Sequence, residues 1–184
     1  MVPHYLLLAS NVVFILGGVF MNKEFLLSIS DDYERALYLV SELFKDKTDK
    51  NGFPYINHLI RVSIKLDSKE LKIAGLLHDV LEDTKVTSDD LREYGFTDRI
   101  IEIVEAVTNQ PIGSYHDKIR KIVSSGDIDV IKLKYADMSD NFDSNRLKLL
   151  PVEVQRRLTL KYKDNLEMLK GVLDNEKVKN RTRI

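Results

Sequence analysis

Residues 74–84 read AGLLHDVLEDT, and within them His78, Asp79, Glu82 and Asp83 recur at helical spacing. On a 3.6-residue helix His78 lies one turn from Glu82 and Asp79 one turn from Asp83, so one imidazole and three carboxylates share a sector of the circumference. Ile73, Leu76, Leu77, Val80 and Leu81 fill the remaining sector, which pins such a helix to a core. An imidazole beside several carboxylates is a donor set for a divalent cation. A solvated helix face normally interleaves Lys and Arg with its acids. Neither residue falls between 73 and 84, and the Asp79–Asp83 pair repels itself unless a cation bridges it. Solvation of an acidic face is the alternative reading of this segment alone.

A second candidate lies further on. Asp137 and Asn141 are one turn apart beside apolar Met138 and Phe142, where the aspartate could supply a further ligand or simply face water. Lys50 and Arg61 flank His58 in sequence; both could engage phosphate, the guanidinium in bidentate fashion, or serve as surface charges. Arg61 falls three residues beyond His58 and could face the same cavity. Tyr115 could stack on a base or cap the core, and His4 and His116 match no ligand position.

The elements that must position these groups are helical. Asp31 and Glu34 have capping-box spacing ahead of a periodic run through Phe44, and the charged loop 45–54 with Gly52 and Pro54 ends that periodicity. A further run starts near Tyr55. Asp67 and Glu70 are placed to cap the helix bearing His78, and Thr87 and Thr97 to open the next two. Residues 109–114 form a turn-rich loop, and helical patterns follow over 115–123, 128–141 and 152–173. An all-α fold is the expectation. Residues 5–20 are nearly all apolar, too few for a comfortable membrane span, and lack the basic start and clean cleavage site of a signal peptide. Residues 1–20 are therefore expected as an extension ahead of a domain at 21–173, with a strand or helix packed on the core as the competing reading, and 174–184 as a polar tail.

With 184 residues and 43% hydrophobic content the chain supports one packed domain. Its 28 basic and 29 acidic residues give a net charge of −1, which argues against an extended nucleic-acid groove, and nothing argues for a membrane partner. The absence of cysteine removes thiolate chemistry and Cys-type zinc sites, and suits a reducing cytoplasm.

The order of the pieces is more specific than any one of them: His58 after GFPYIN, then HDVLED at 78–83, then Asp137 and Asn141 after LKYA. This order resembles the HD phosphohydrolase superfamily, and within it the hydrolase domain of RelA/SpoT-type stringent-response enzymes and their small single-domain alarmone hydrolase relatives. The resemblance runs over about residues 49–169 and includes Ala106-Val107-Thr108; the stretch DMSDNFD at 137–143 is like a bacterial and phage subgroup of HD-domain proteins. It implies an HD-domain helical bundle with one divalent metal, manganese ahead of iron or zinc, on His58, His78, Asp79 and Asp137. It also implies Glu82 and Asp83 as catalytic acid–base groups, and Lys134 and Asn141 beside the substrate. The implied reaction removes the 3′-pyrophosphate of guanosine tetra- or pentaphosphate, so the implied partner is a phosphorylated guanine nucleotide, with a homo-oligomer left open. Two alternatives stand beside it: an HD nucleotidase or phosphodiesterase of other specificity, and a catalytically silent nucleotide-binding module. The chain departs from the pattern at residues 44–47, FKDK where the family has His-x-Gly-Gln, and at Leu59 where proline commonly follows the histidine. No synthetase region follows, so synthesis of the alarmone is not expected.

Overall fold

In the computed structural model, residues 13–16, 19–108 and 113–182 are described. The helix that organises the rest keeps its charges, Lys69, Glu70 and Lys72, near its start, while Leu71, Ile73, Ala74, Leu76 and Leu77 are all buried, so its later part belongs in the interior. In chain order the elements are β1 (Val13–Leu16), β2 (Val19–Asn22), α1 (Lys23–Ser28), α2 (Asp32–Leu43), α3 (Ile56–Ile64), α4 (Lys69–Leu77), α5 (Val80–Asp83), α6 (Ser88–Glu93), α7 (Asp98–Val107), α8 (Tyr115–Ser125), α9 (Ile128–Asn141), α10 (Ser144–Leu147) and α11 (Val152–Thr182). Around α4 pack α2, α3, α7 and α9, and α11 lies against α8 and α9. The all-α expectation holds for this body.

Local chemistry starts the helices. Asp31 accepts from the backbone N–H groups of Tyr33 and Glu34, and Thr87 and Ser114 each form a reciprocal capping box, with Asp90 and Asp117. Helix α4 is capped by Ser68, whose hydroxyl accepts from Leu71 N–H, and not by the expected pair; Asp67 instead pairs with Lys132. A neutral serine in extended conformation frees its oxygen for the helix end, whereas the neighbouring carboxylate is drawn to a cation on α9.

The region expected as an apolar extension contains an antiparallel hairpin, β1 with β2, in the register Val13↔Asn22 to Leu16↔Val19. Residues 1–12, with His4, lie outside the described residues. At the other end α11 continues through the expected polar tail to Thr182, with Lys170 and Asp174 paired one turn apart. Polarity there reflects a solvated helix rather than loss of structure.

The helix predicted through residues 74–84 is interrupted. α4 ends at Leu77, His78 follows as its C-cap, and Asp79 adopts φ −99°, ψ −2° before α5 begins. Periodicity continues through the break, so the sequence pattern does not reveal it. Close approach of α3 fixes the end of α4, since a Cβ on Gly75 would stand 2.9 Å from Ser63 Cα and 2.8 Å from Leu66 Cδ1. Glycine lets the two backbones meet.

Candidate metal centre

Four elements converge on one point: His58 from α3, His78 from the end of α4, Asp79 from the junction with α5, and Asp137 from α9. One ligand atom from each of His58, His78 and Asp79 lies within 4.8 Å of the others. His78 Nε2 is 3.1 Å from Asp79 Oδ2, His58 Nε2 is 3.7 Å from the same oxygen, and Asp137 Oδ1 stands 3.5 Å and 3.7 Å from the two Nε2 atoms. Donors bound at about 2.1 Å to one small cation are spaced by roughly 3 Å, so His58, His78 and Asp79 can close on such an ion, with Asp137 beside both imidazoles.

The outward nitrogens are committed elsewhere. His58 Nδ1 is 2.8 Å from Asp140 Oδ2, and His78 Nδ1 is 2.8 Å from the Gly75 carbonyl oxygen. Carboxylates and carbonyls only accept, so each Nδ1 carries the proton and donates it. Both Nε2 atoms are buried without a hydrogen-bond partner among the described residues. A lone pair aimed into a carboxylate cluster is the arrangement of a metal-ligating imidazole.

Electrostatics point the same way. Burial alone would lower the His78 imidazole, but the Asp79 and Asp137 carboxylates raise it well above its ordinary value; at His58, Asp137 and Asp140 likewise overcome burial. Against the cost of burial, His78 draws the Asp79 carboxyl down to about 2, and Lys134 with the two imidazoles holds Asp137 far below the usual range. The cluster therefore stabilises positive charge.

A cavity of about 340 Å³ opens over this point. Its lining carries the acids Asp79, Glu82, Asp83 and Asp137 together with the cations Lys47, Lys50, Lys134, Arg146 and Lys161, Lys47 being paired with Asp83 and Lys134 with Asp137. Among the cations Lys50 is lowered by burial and by the charges of Arg157 and Arg146, and Lys161 by burial and by Lys50 and Lys134. Crowded cations favour an anion just as crowded carboxylates favour a cation. Acids and cations in one cavity suit a metal and a phosphate together.

The expected site residues divide as follows. His58, His78, Asp79 and Asp137 are brought together, and Glu82, Asp83, Lys50, Lys134, Asn141 and Tyr115 border the cavity. Lys134 Nζ donates to Asp137 Oδ2 at 3.0 Å and Asn141 Nδ2 to Asp137 Oδ1 at 2.6 Å, so both also hold the late aspartate. Arg61 is the correction. Its guanidinium turns from the cavity to Asp140, with Nε and Nη2 donating at 2.8 and 3.0 Å, because that carboxylate is buried and charge-assisted pairing there is strong.

Sequence reasoning missed Asp140, Tyr55, Lys47, Arg146 and Lys161. Tyr55 Oη donates to Asp79 Oδ2 at 2.5 Å, and Lys47 pairs with Asp83 while lying 3.9 Å above the Tyr55 ring. Lys161 sits 4.2 Å above the Tyr115 ring. Only Asp140 had a local signal, as it falls one helical turn beyond Asp137.

Residues 36–146 match a family model described as HD domain. Over 148 residues the chain is 34% identical to the guanosine-3′,5′-bis(diphosphate) 3′-pyrophosphohydrolase of Borreliella burgdorferi, covering 70% of this chain and 21% of that protein. Its identity to the same-named protein of Aquifex aeolicus is 34% over 122 residues, covering 61% and 17% of the two. To the bifunctional (p)ppGpp synthase/hydrolase SpoT of Escherichia coli it is 35% over 122 residues, covering 58% and 17%. The chain thus spans about a fifth of the length of the curated relatives it matches. Its fold is similar to the solved structure of a metazoan SpoT ortholog that hydrolyses ppGpp, with a TM-score of 0.61 at 21% identity, covering 80% of this chain and 96% of that one. With the family model matched over more than half of its 184 residues, the chain belongs to the HD-domain family.

Proposed function

We propose that this chain is a metal-dependent phosphohydrolase that removes the 3′-pyrophosphate of guanosine tetra- or pentaphosphate. The observation that carries the reading is the pair of buried Nε2 atoms, without a hydrogen-bond partner among the described residues, directed at Asp79 and Asp137 beside a cavity that several cations line. Relatives named as pyrophosphohydrolases of this alarmone support the substrate.

In this reading His58, His78, Asp79 and Asp137 hold one divalent ion, manganese(II) by preference. Such an ion supplies Lewis-acid polarisation of a phosphoryl oxygen and an acidified water. Glu82 and Asp83 would orient the attacking water and accept its proton, and the contact of Lys47 with Asp83 fixes where the second carboxylate stands. Lys50 and Lys161 receive the phosphates, and Lys134 and Asn141 steady Asp137 while bordering the nucleotide. Tyr115 carries Lys161 over its ring and borders the base. The working domain in this reading is 21–173 and its compartment the cytoplasm; among the described residues no helix is long and apolar enough to cross a membrane.

The test is anion-exchange product analysis after incubation with guanosine tetraphosphate, in manganese and in chelator, beside Asp79→Ala. GDP and pyrophosphate are expected only with manganese, with turnover down on the order of a thousandfold in the variant, as befits loss of several kcal/mol of metal assistance. Turnover of another nucleotide with the alarmone left intact would replace the substrate and keep the enzyme class. A folded protein that binds no manganese and hydrolyses nothing would overturn both.

A further inference from the structure

Asp140 is 2% exposed and collects more charged partners than any ligand of the cluster. Its Oδ2 accepts from His58 Nδ1 at 2.8 Å. Arg61 grips both oxygens, Lys65 Nζ approaches Oδ1 at 3.3 Å, and Arg146 Nη1 reaches Oδ2 and, at 3.1 Å, the Asp140 carbonyl oxygen. Arg146 also pairs with Asp49 at 2.8 Å and receives Asn51 on its carbonyl, so the network runs from α3 through α9 and α10 into the loop ahead of His58. Burial disfavours the Asp140 charge, but His58 and Arg61 hold the carboxyl well below the usual range. Surrounded by these donors, the carboxylate acts as their acceptor.

An imidazole has two neutral tautomers, and only one leaves Nε2 free to ligate. We propose that Asp140 is a positioning residue of the metal centre: it holds His58 in the Nδ1–H tautomer with Nε2 aimed between Asp79 and Asp137, and through Arg146 it ties that ring to the first loop. This rests on the reading of His58 as a ligand. Carboxylates placed behind ligating histidines strengthen metal binding by about 10- to 100-fold. A surface ion pair would be exposed and would leave the imidazole alone; here the carboxylate is buried and touches the imidazole directly.

Two measurements on the full chain and on Asp140→Asn test this. One is calorimetric titration with manganese(II) alone. The other is nitrogen-15 NMR of His58 in the metal-free protein at alkaline pH, where the ring is neutral and the tautomer can be read without metal or turnover. Expected are manganese affinity weakened about 10- to 100-fold and a His58 signal that moves from Nδ1–H to a mixture. Unchanged affinity and tautomer would overturn the proposal, as would weaker affinity with the tautomer unchanged, which would leave Asp140 a structural role only. If the wild-type chain binds no manganese, the functional reading fails, and the tautomer alone decides the role of Asp140. Should Asp140→Asn not fold, the double variant Arg61→Gln/Asp140→Asn removes one cation with the carboxylate and carries the same two measurements.

Discussion

The two histidines of the centre present the same nitrogen to the same carboxylates, but they are held from behind by different chemistry. His78 donates to the Gly75 carbonyl three residues earlier, a group fixed by the end of α4, whereas His58 donates to a side chain 82 residues away that is itself gripped by Arg61, Lys65 and Arg146. The first arrangement costs no charge and moves only if the backbone moves. The second is charged, spans three helices and a loop, and is open to side-chain substitution. One side of the centre is therefore set by packing and the other by electrostatics.

Gly75→Ala attacks the packing side and is expected to have the largest effect. The added methyl meets Ser63 Cα and Leu66 Cδ1, so the end of α4 must shift; overpacking of this kind costs about 1–3 kcal/mol. A thermal melt should fall by several degrees, and manganese binding should weaken with it because the carbonyl behind His78 moves. An unchanged melt with unchanged metal binding would show that α4 tolerates the displacement.

Acid probes both sides together. Each imidazole is raised in the metal-free protein, so its proton is retained above the ordinary range and must leave before a metal can bind. Manganese affinity should then climb about tenfold per pH unit for each proton displaced, and should still be climbing above the ordinary histidine pKa of roughly 6.5. Without metal the sign reverses: protonated imidazoles among carboxylates stabilise the fold, fully below the unfolded histidine pKa and progressively less as pH rises through the raised folded values. Titration calorimetry over a pH series reads the first effect and thermal melts of the chelated protein the second.

Arg61→Gln touches only the electrostatic side. It removes one of three cations from Asp140 while leaving the carboxylate and its contact with His58, and the guanidinium is partly exposed, so about 1 kcal/mol or less is at stake. Manganese affinity should weaken by no more than about fivefold, with Michaelis constants for nucleotide unchanged. A strong rise in the Michaelis constant would return Arg61 to the substrate.

Much of the fold was legible because its signals are local. The Asp31 cap, the helix start at Thr87 and the span of α9 follow from side chains bonding to backbone groups two or three residues away and from periodicity within one helix, although the reciprocal box forms at Thr87 and Asp90 and not at Asp31 and Glu34. The break at His78–Asp79 was not legible, since the apolar pattern runs through it. The cap on α4 was misassigned because Asp67 and Ser68 are adjacent candidates and only the cation on α9 decides between them. At the site, His78, Asp79, Glu82 and Asp83 announce themselves by spacing, while Lys161 and Arg146 belong to helices that approach only after folding.

What the sequence by itself determined was the inventory: an apolar central helix, an acidic stretch with one histidine and no interleaved cation, and a distant aspartate on its own amphipathic helix. The tertiary structure decided which nitrogen of each imidazole faces inward, that Arg61 serves a buried carboxylate rather than the cavity, and that lysines from distant parts of the chain line the same cavity as the acids. Helix propensity and capping act between residues a few positions apart. Ring orientation and charge pairing depend on groups brought close from far along the chain, and in a buried setting the nearest opposite charge wins.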